Sequence, residues 1–330
     1  MSEIKVNSIV DASGGSTVQV NGYTPTMSNM AGRNRIINGN FDIWQRGTSS
    51  LSSGADRYVA DRWEITPPSA VSTDVTREFN TTLQSYLMRV KVNATGVASF
   101  RQKIEGFKQF HNKDVTYSFK ALGNLFSSVT VSVRLYHSGG NVILHSATHS
   151  LTGSLTDITG SLSVGDVSSY TEDASSTLRL LFSTDSSSTG AYIDIAQVQL
   201  EAGSVATPFE HRQYGQELAL CQRYYYQAVP LNSYNTYTVV CTANSSTTGF
   251  AFFSFPVTMR AAPTLSATTG TNYYDLYIAA ADRYTSSFTL SNPTTNQAQL
   301  VCTISGATAG QAGVLYIASS GAAIAFSAEL

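Results

Sequence analysis

The chain has 330 residues, more than one ordinary domain of about 100–200 residues requires, which points to two domains and an appendage. Only 13% of residues are charged, against roughly 25% in ordinary soluble domains, and the formal net charge is -2, so no basic footprint for nucleic acid is present. With 42% hydrophobic residues, 18 tyrosines and 15 phenylalanines, chain-wide disorder is excluded.

Residues 1–22 read as a β-hairpin. Ile4, Val6 and Ile9 alternate with polar residues, 11–16 is turn-rich, and Val18 and Val20 alternate again. A lone hairpin is barely stable in water, so its apolar face needs a partner. Residues 23–32, with Pro25 among small and polar neighbours, read as linker. The N-terminus lacks the basic and apolar regions of a signal peptide, and no apolar run approaches the roughly 20 residues of a membrane span. Synthesis in a cytoplasm, without a dedicated export signal or membrane insertion, is the expectation.

Residues 33–210 form a string of short strand signals, at 86–92, 99–105, 115–122, 129–135, 142–148, 178–183 and 191–200. Val115, Tyr117, Phe119 and Ala121 share one face; Val129, Val131, Val133 and Leu135 share another. One apolar face per strand and no helical stretch describe a jelly-roll-type β-sandwich. In the last strand the two-residue beat slips between Ile195 and Val198, as a β-bulge near Ala196–Gln197 would make it do. Thr207 and Pro208 then carry the chain round a rigid corner.

The period changes next. Between Tyr214 and Tyr226 no Gly or Pro follows Gly215, and Leu218, Cys221, Gln222 and Tyr225 fall on one helical face. A helix of roughly 12 residues is marginal alone and must pack on something. This linking helix, within residues 211–227, leads into a second, smaller all-β domain over 228–330. Strands are expected there at 237–242, 249–257, 273–279, 288–290, 300–305, 314–318 and 324–328, with Pro256 marking an edge position or a bulge.

Recognisable reaction chemistry is sparse. Cys221, Cys241 and Cys302 are odd in number and far apart, which suits small reduced core residues. His145 and His149, four apart on a strand, stand about 13 Å from each other, too far to share a metal. HExxH, a nucleophile elbow and a phosphate loop are all missing. Acidic groups gather at Asp56, Asp61 and Glu64 and at Asp166, Glu172 and Asp173, where a glycosidase pair would have to sit. No enzyme activity and no cofactor are expected. Trp44 and Trp63 flank the first strands of the sandwich, where a sugar ring could stack on them, with core packing the favoured reading. Tyr234, Tyr273, Tyr274 and Tyr284, in loop-rich stretches of the second domain, are the candidate ligand-binding residues, because tyrosine suits shallow recognition surfaces.

Several stretches carry a resemblance: GRNRIINGNFDIWQRG (Gly32 to Gly47), ADRW (Ala60 to Trp63), QLEAGSVATPFEHR with ELALCQRYYY (Gln199 to Tyr226), FPVTMRAAPT (Phe255 to Thr264) and FSAEL (Phe326 to Leu330). In this order they resemble bacteriophage tail-fibre and receptor-binding proteins. The resemblance implies a carbohydrate-binding-module-like sandwich over 33–210, a virion-attachment and oligomerisation segment over 1–32, and a receptor-binding C-terminal domain over 228–330. It also implies a homotrimer, located in the virion and made in the host bacterial cytoplasm, whose partners are virion tail or capsid proteins and host surface polysaccharide. A structural calcium in such sandwiches would draw on Asn38, Asn40 or Asp42 with Asp194. A capsid-mounted head fibre or decoration protein, a virion-associated glycan hydrolase and a host cell-surface adhesin are the alternatives; a missing signal peptide counts against the last.

Overall fold

A computed structural model describes residues 32–53, 56–66 and 72–330. The hairpin and most of the linker expected over residues 1–32 lie outside the described residues. The chain divides into two compact units: Phe79–His211 with the described residues up to Asn40, and Phe41–Glu78 with Arg212–Leu330. Segment 41–78 groups by its contacts with Arg212–Leu330. Its reason is long-range: Gln45, Arg46 and Arg62 bond to or stack on Tyr224, Tyr225 and Glu329. Within this segment β1 (Ser49–Ser53) pairs with β4 (Ser72–Asn80), and β2 (Arg57–Tyr58) with β3 (Trp63–Ile65). Trp63 is fully buried and Trp44 nearly so, with Phe41 and Trp63 in ring contact, so both tryptophans serve the core.

The first unit consists of β5 (Ser85–Val92), β6 (Ser99–Ile104), β7 (Asp114–Asn124), β8 (Ser128–His137), β9 (Gly140–Ser150), β10 (Thr156–Ser163), β11 (Thr177–Thr184) and β12 (Tyr192–Ala202). Its strands run in the orders β5-β12-β7-β10 and β6-β11-β8-β9, all antiparallel. Apart from the β8–β9 hairpin, successive strands cross between the two sheets, which is jelly-roll-type connectivity. The alternation read from the sequence holds: Val115, Tyr117, Phe119 and Ala121 point inward, as do Val129, Val131, Val133 and Leu135. Phe100 stacks on Phe182 at 5.0 Å, and Phe119 meets Phe182 edge-on. Strand β10 gave no signal in the sequence because it is a polar edge strand with only Ile158 and Leu162 turned inward.

The bulge in β12 lies where the slipped beat puts it, between Ala196 and Gln199, with Gln197 at φ 52°. Two residues of the Gly32-to-Gly47 motif fasten it. Val198 donates its N–H to the Gly39 carbonyl at 2.8 Å. Asn34 accepts from the N–H groups of Ile36 and Leu200 and donates to the Val198 carbonyl.

In the second unit the helix α1 spans Tyr214–Gln222, shorter than expected, because Tyr225 already opens a strand. Strands β13 (Tyr225–Val229), β22 (Ile324–Ser327) and β16 (Thr264–Ala267) form one sheet in that order. The other sheet runs β18 (Tyr284–Thr285), β17 (Tyr274–Ile278), β21 (Ala312–Ile317), β14 (Tyr237–Ala243), β15 (Thr248–Ser254), β20 (Gln297–Thr303), β19 (Thr289–Ser291). One core lies between their inner faces, including Cys241, Phe253, Leu276, Leu300, Cys302, Leu315 and Phe326. All three cysteines are free and buried. Strand β15 is neither an edge nor bulged at Pro256: it lies between β14 and β20 and ends at Ser254, so the proline never meets the ladder. Among the described residues the protein is therefore all-β, a jelly-roll sandwich and a smaller β unit with one short α-helix.

Candidate functional site

Hollows occur in both units among the described residues. In the first unit, one of about 330 Å³ is lined by Phe119, Lys120, Asp157, Gln197 and Phe209 among others. Its two charges are already spent on each other, Lys120 Nζ standing 2.6 Å from Asp157. In the second unit, one of about 450 Å³ lies beside Trp44, Arg46, Tyr225 and Gln227. Its polar groups are likewise committed: Gln45 bonds Asp61 and the Tyr225 carbonyl, Tyr225 donates to Gln227, and Arg46 covers the Tyr225 ring.

The third hollow, about 470 Å³ and open, is lined by Tyr234, Thr271, Asn272, Tyr284, Tyr316, Ala318 and Ser319. Two of the four candidate tyrosines meet there, and both are exposed, Tyr234 at 54% and Tyr284 at 46%. The β-ladder explains the geometry. Asp275 on β17 lies opposite Tyr284 on β18 and opposite Tyr316 on β21, and Tyr316 in turn faces Tyr237 on β14. Directly paired residues share a face, so these four form a row across the sheet's outer side. Tyr237 and Tyr316 are in ring contact at 5.1 Å. The Tyr316 hydroxyl donates to the side-chain oxygen of Asn235, which is held in the left-handed region at φ 65°. The Tyr284 hydroxyl donates to Asp282 at 3.3 Å.

Electrostatics add to the shape. Asp275 is buried, and that burial pushes its carboxyl up to about 6 although the Arg283 N–H donates to it at 2.6 Å. The Asp282 charge raises the Tyr284 phenol, with burial second; burial raises the Tyr316 phenol, with Tyr234 and Tyr237 behind it.

The other two candidates lie elsewhere. Tyr274 is fully buried in the core; its hydroxyl is 2.9 Å from the carbonyls of Thr268 and Ala323. It cannot meet a surface ligand, because its two-residue phase on β17 points it inward. Tyr273 is half-buried across Gly270 and Gly321, where a side chain at either glycine would collide with its ring. Tyr316, Thr271, Asn272 and Ser319 escaped the sequence reading. Tyr316 was findable as the outward residue between inward Leu315 and Ile317.

The remaining polar candidates have structural partners. Asp61 is buried against Gln45 and Arg46. Asp166 and Asp173 accept local N–H bonds from Ser168 and Ser175. Asp194 takes a two-pronged bond from Arg89 at 2.7 and 2.8 Å. No group of three His, Cys, Asp or Glu among the described residues is arranged to hold a metal. His145 and His149 are nonetheless closer than simple strand spacing suggests, since their rings lean onto one hydroxyl. Their Nε2 atoms lie 3.3 and 2.8 Å from the Tyr117 oxygen. Gly160, opposite Tyr117, leaves room for that phenol.

No family profile matches the chain, and no curated protein matches it. Among solved structures, the enzymatically active domain of bacteriophage CBA120 tailspike protein 4 is 19% identical with a TM-score of 0.36, over 52% of this chain and 21% of that one. The carbohydrate-binding module TmCBM61, in complex with β-1,4-galactotriose, is 12% identical with a TM-score of 0.32, over 52% of this chain and 99% of that one. A cyclase from Fischerella sp. TAU is 13% identical with a TM-score of 0.37, over 54% of this chain and 100% of that one. The match thus spans about a fifth of the tailspike domain.

Proposed function

We propose that the chain is a bacteriophage tail-fibre protein, a structural virion component that attaches to host cell-surface glycans through the hollow of its second unit. The observation that carries this reading is the meeting of Tyr234, Tyr284 and Tyr316 around one open hollow edged by Asn272, Thr271 and Ser319. Phenol rings offer flat apolar faces to a sugar ring, and amide and hydroxyl groups fix its orientation. The sequence motifs and the low charge content support the virion setting. A shallow site of this kind binds weakly; several linked copies, as in a homotrimer, would raise overall avidity by about 10²–10⁴. In this reading residues 1–32 attach the protein to the tail, and labelling it on particles separates that from a capsid-mounted fibre.

The test is binding of the purified protein to host envelope polysaccharide, beside its Tyr284→Ala variant. The expected result is binding by the parent, weakened in the variant with the fold unchanged. New reducing ends would assign glycan hydrolysis instead, and a parent that binds no host polysaccharide would end the reading.

A further inference from the structure

We propose that the tyrosine hollow selects glycans bearing a free ammonium group over neutral and acidic ones. This rests on the hollow being the glycan site. Three phenols line it, and no Lys, Arg or His does. The face of an aromatic ring is electron-rich and attracts a cation, and several rings around one space form a cage for it. Beneath the rings lies acid. Asp275 sits in the cross-strand row with Tyr284 on one side and Tyr316 on the other. Asp282 holds the Tyr284 hydroxyl, and an acceptor on the phenol makes its ring more electron-rich.

The neighbouring cation, Arg283, does not line the hollow. Arg283 turns its guanidinium aside: Nη1 donates to the Asp282 carbonyl, and Cζ lies 3.9 Å from where a side chain on Gly306 would begin. An acidic sugar would approach the Asp282 charge behind Tyr284 with no cation lining the hollow. A neutral one would gain ring contact alone. An ammonium-bearing one gains ring contact and charge attraction together.

The experiment compares glucosamine, N-acetylglucosamine and galacturonic acid oligomers of equal length, titrated into the full chain and into its Tyr284→Ala, Tyr284→Phe and Asp282→Asn variants. Glucosamine oligomers should bind about 5- to 30-fold tighter than their N-acetylated counterparts, the range that a cation on exposed to half-buried rings supplies. Tyr284→Ala should close that gap, Asp282→Asn should narrow it, and Tyr284→Phe should keep the ring's share. Equal or better binding of the N-acetylated or acidic oligomer overturns the inference and leaves the glycan reading standing. So does an amine preference that survives Tyr284→Ala, since the cation is then held elsewhere. Binding to none of these oligomers and to no host polysaccharide ends both.

Discussion

Glu329 sets its carboxylate against the guanidinium of Arg62, 267 positions earlier in the chain, with both side chains buried. Arg46 reaches the same carboxylate at 3.2 Å, and Arg260 donates to the Ala328 and Glu329 carbonyls. Above the two guanidiniums lie Tyr224 and Tyr225, each with a ring centroid 3.5 Å from its arginine. The stretches WQRG, ADRW, QRYYY, VTMR and FSAEL therefore gather in one interior cluster of the second unit. Their shared role is to hold that unit together, and Tyr234, Tyr237 and Tyr284 stay exposed outside the cluster.

Glu329→Gln should lower the stability of the second unit by about 3–5 kcal/mol, the usual cost of taking one partner from a buried ion pair. Denaturant unfolding followed by tyrosine fluorescence would measure it. A change below about 1 kcal/mol, as at an exposed pair, would show that the cluster is not what holds the unit.

Gly39→Ala should destabilise the first unit by about 1–3 kcal/mol, the range for overpacking. A β-carbon there would stand 2.1 Å from the Val198 carbonyl oxygen, where β12 bulges. Thermal melts of the two proteins decide this; an unchanged midpoint would mean the bulge can move away freely.

Acid should loosen the first unit through His149. Burial, with His145 beside it, holds the His149 pKa below its ordinary value of 6.5. The unfolded chain therefore binds the proton more readily, so this contribution is complete well above 6.5 and erodes as pH falls from there through the lower folded value. Replacing His149 with Gln should flatten the dependence of melting temperature on pH below about 7. An identical slope in both proteins would refute it.

Tyr274→Phe and Tyr284→Ala should separate stability from binding. The first removes a buried hydroxyl set against two carbonyls and should cost about 1–3 kcal/mol of stability while glycan binding persists. The second alters an exposed ring and should leave the melt within about 0.5 kcal/mol while binding weakens. Paired melts and titrations test both, and the reverse pattern would move the site into the core of the unit.

The sequence by itself determined the all-β class, the strands that bury one face and the register slip in β12. Those features depend on two-residue periodicity and local sterics, which short windows contain. Edge strands such as β10 and the extent of α1 were less legible, because few inward residues or a competing strand partner decide them. Only tertiary structure decided that segment 41–78 belongs with the C-terminal unit, that Tyr274 points into the core while Tyr284 faces out, and that Tyr316 completes the hollow. Each of these depends on which strands and side chains come together, and that is fixed by tertiary packing that no local pattern encodes.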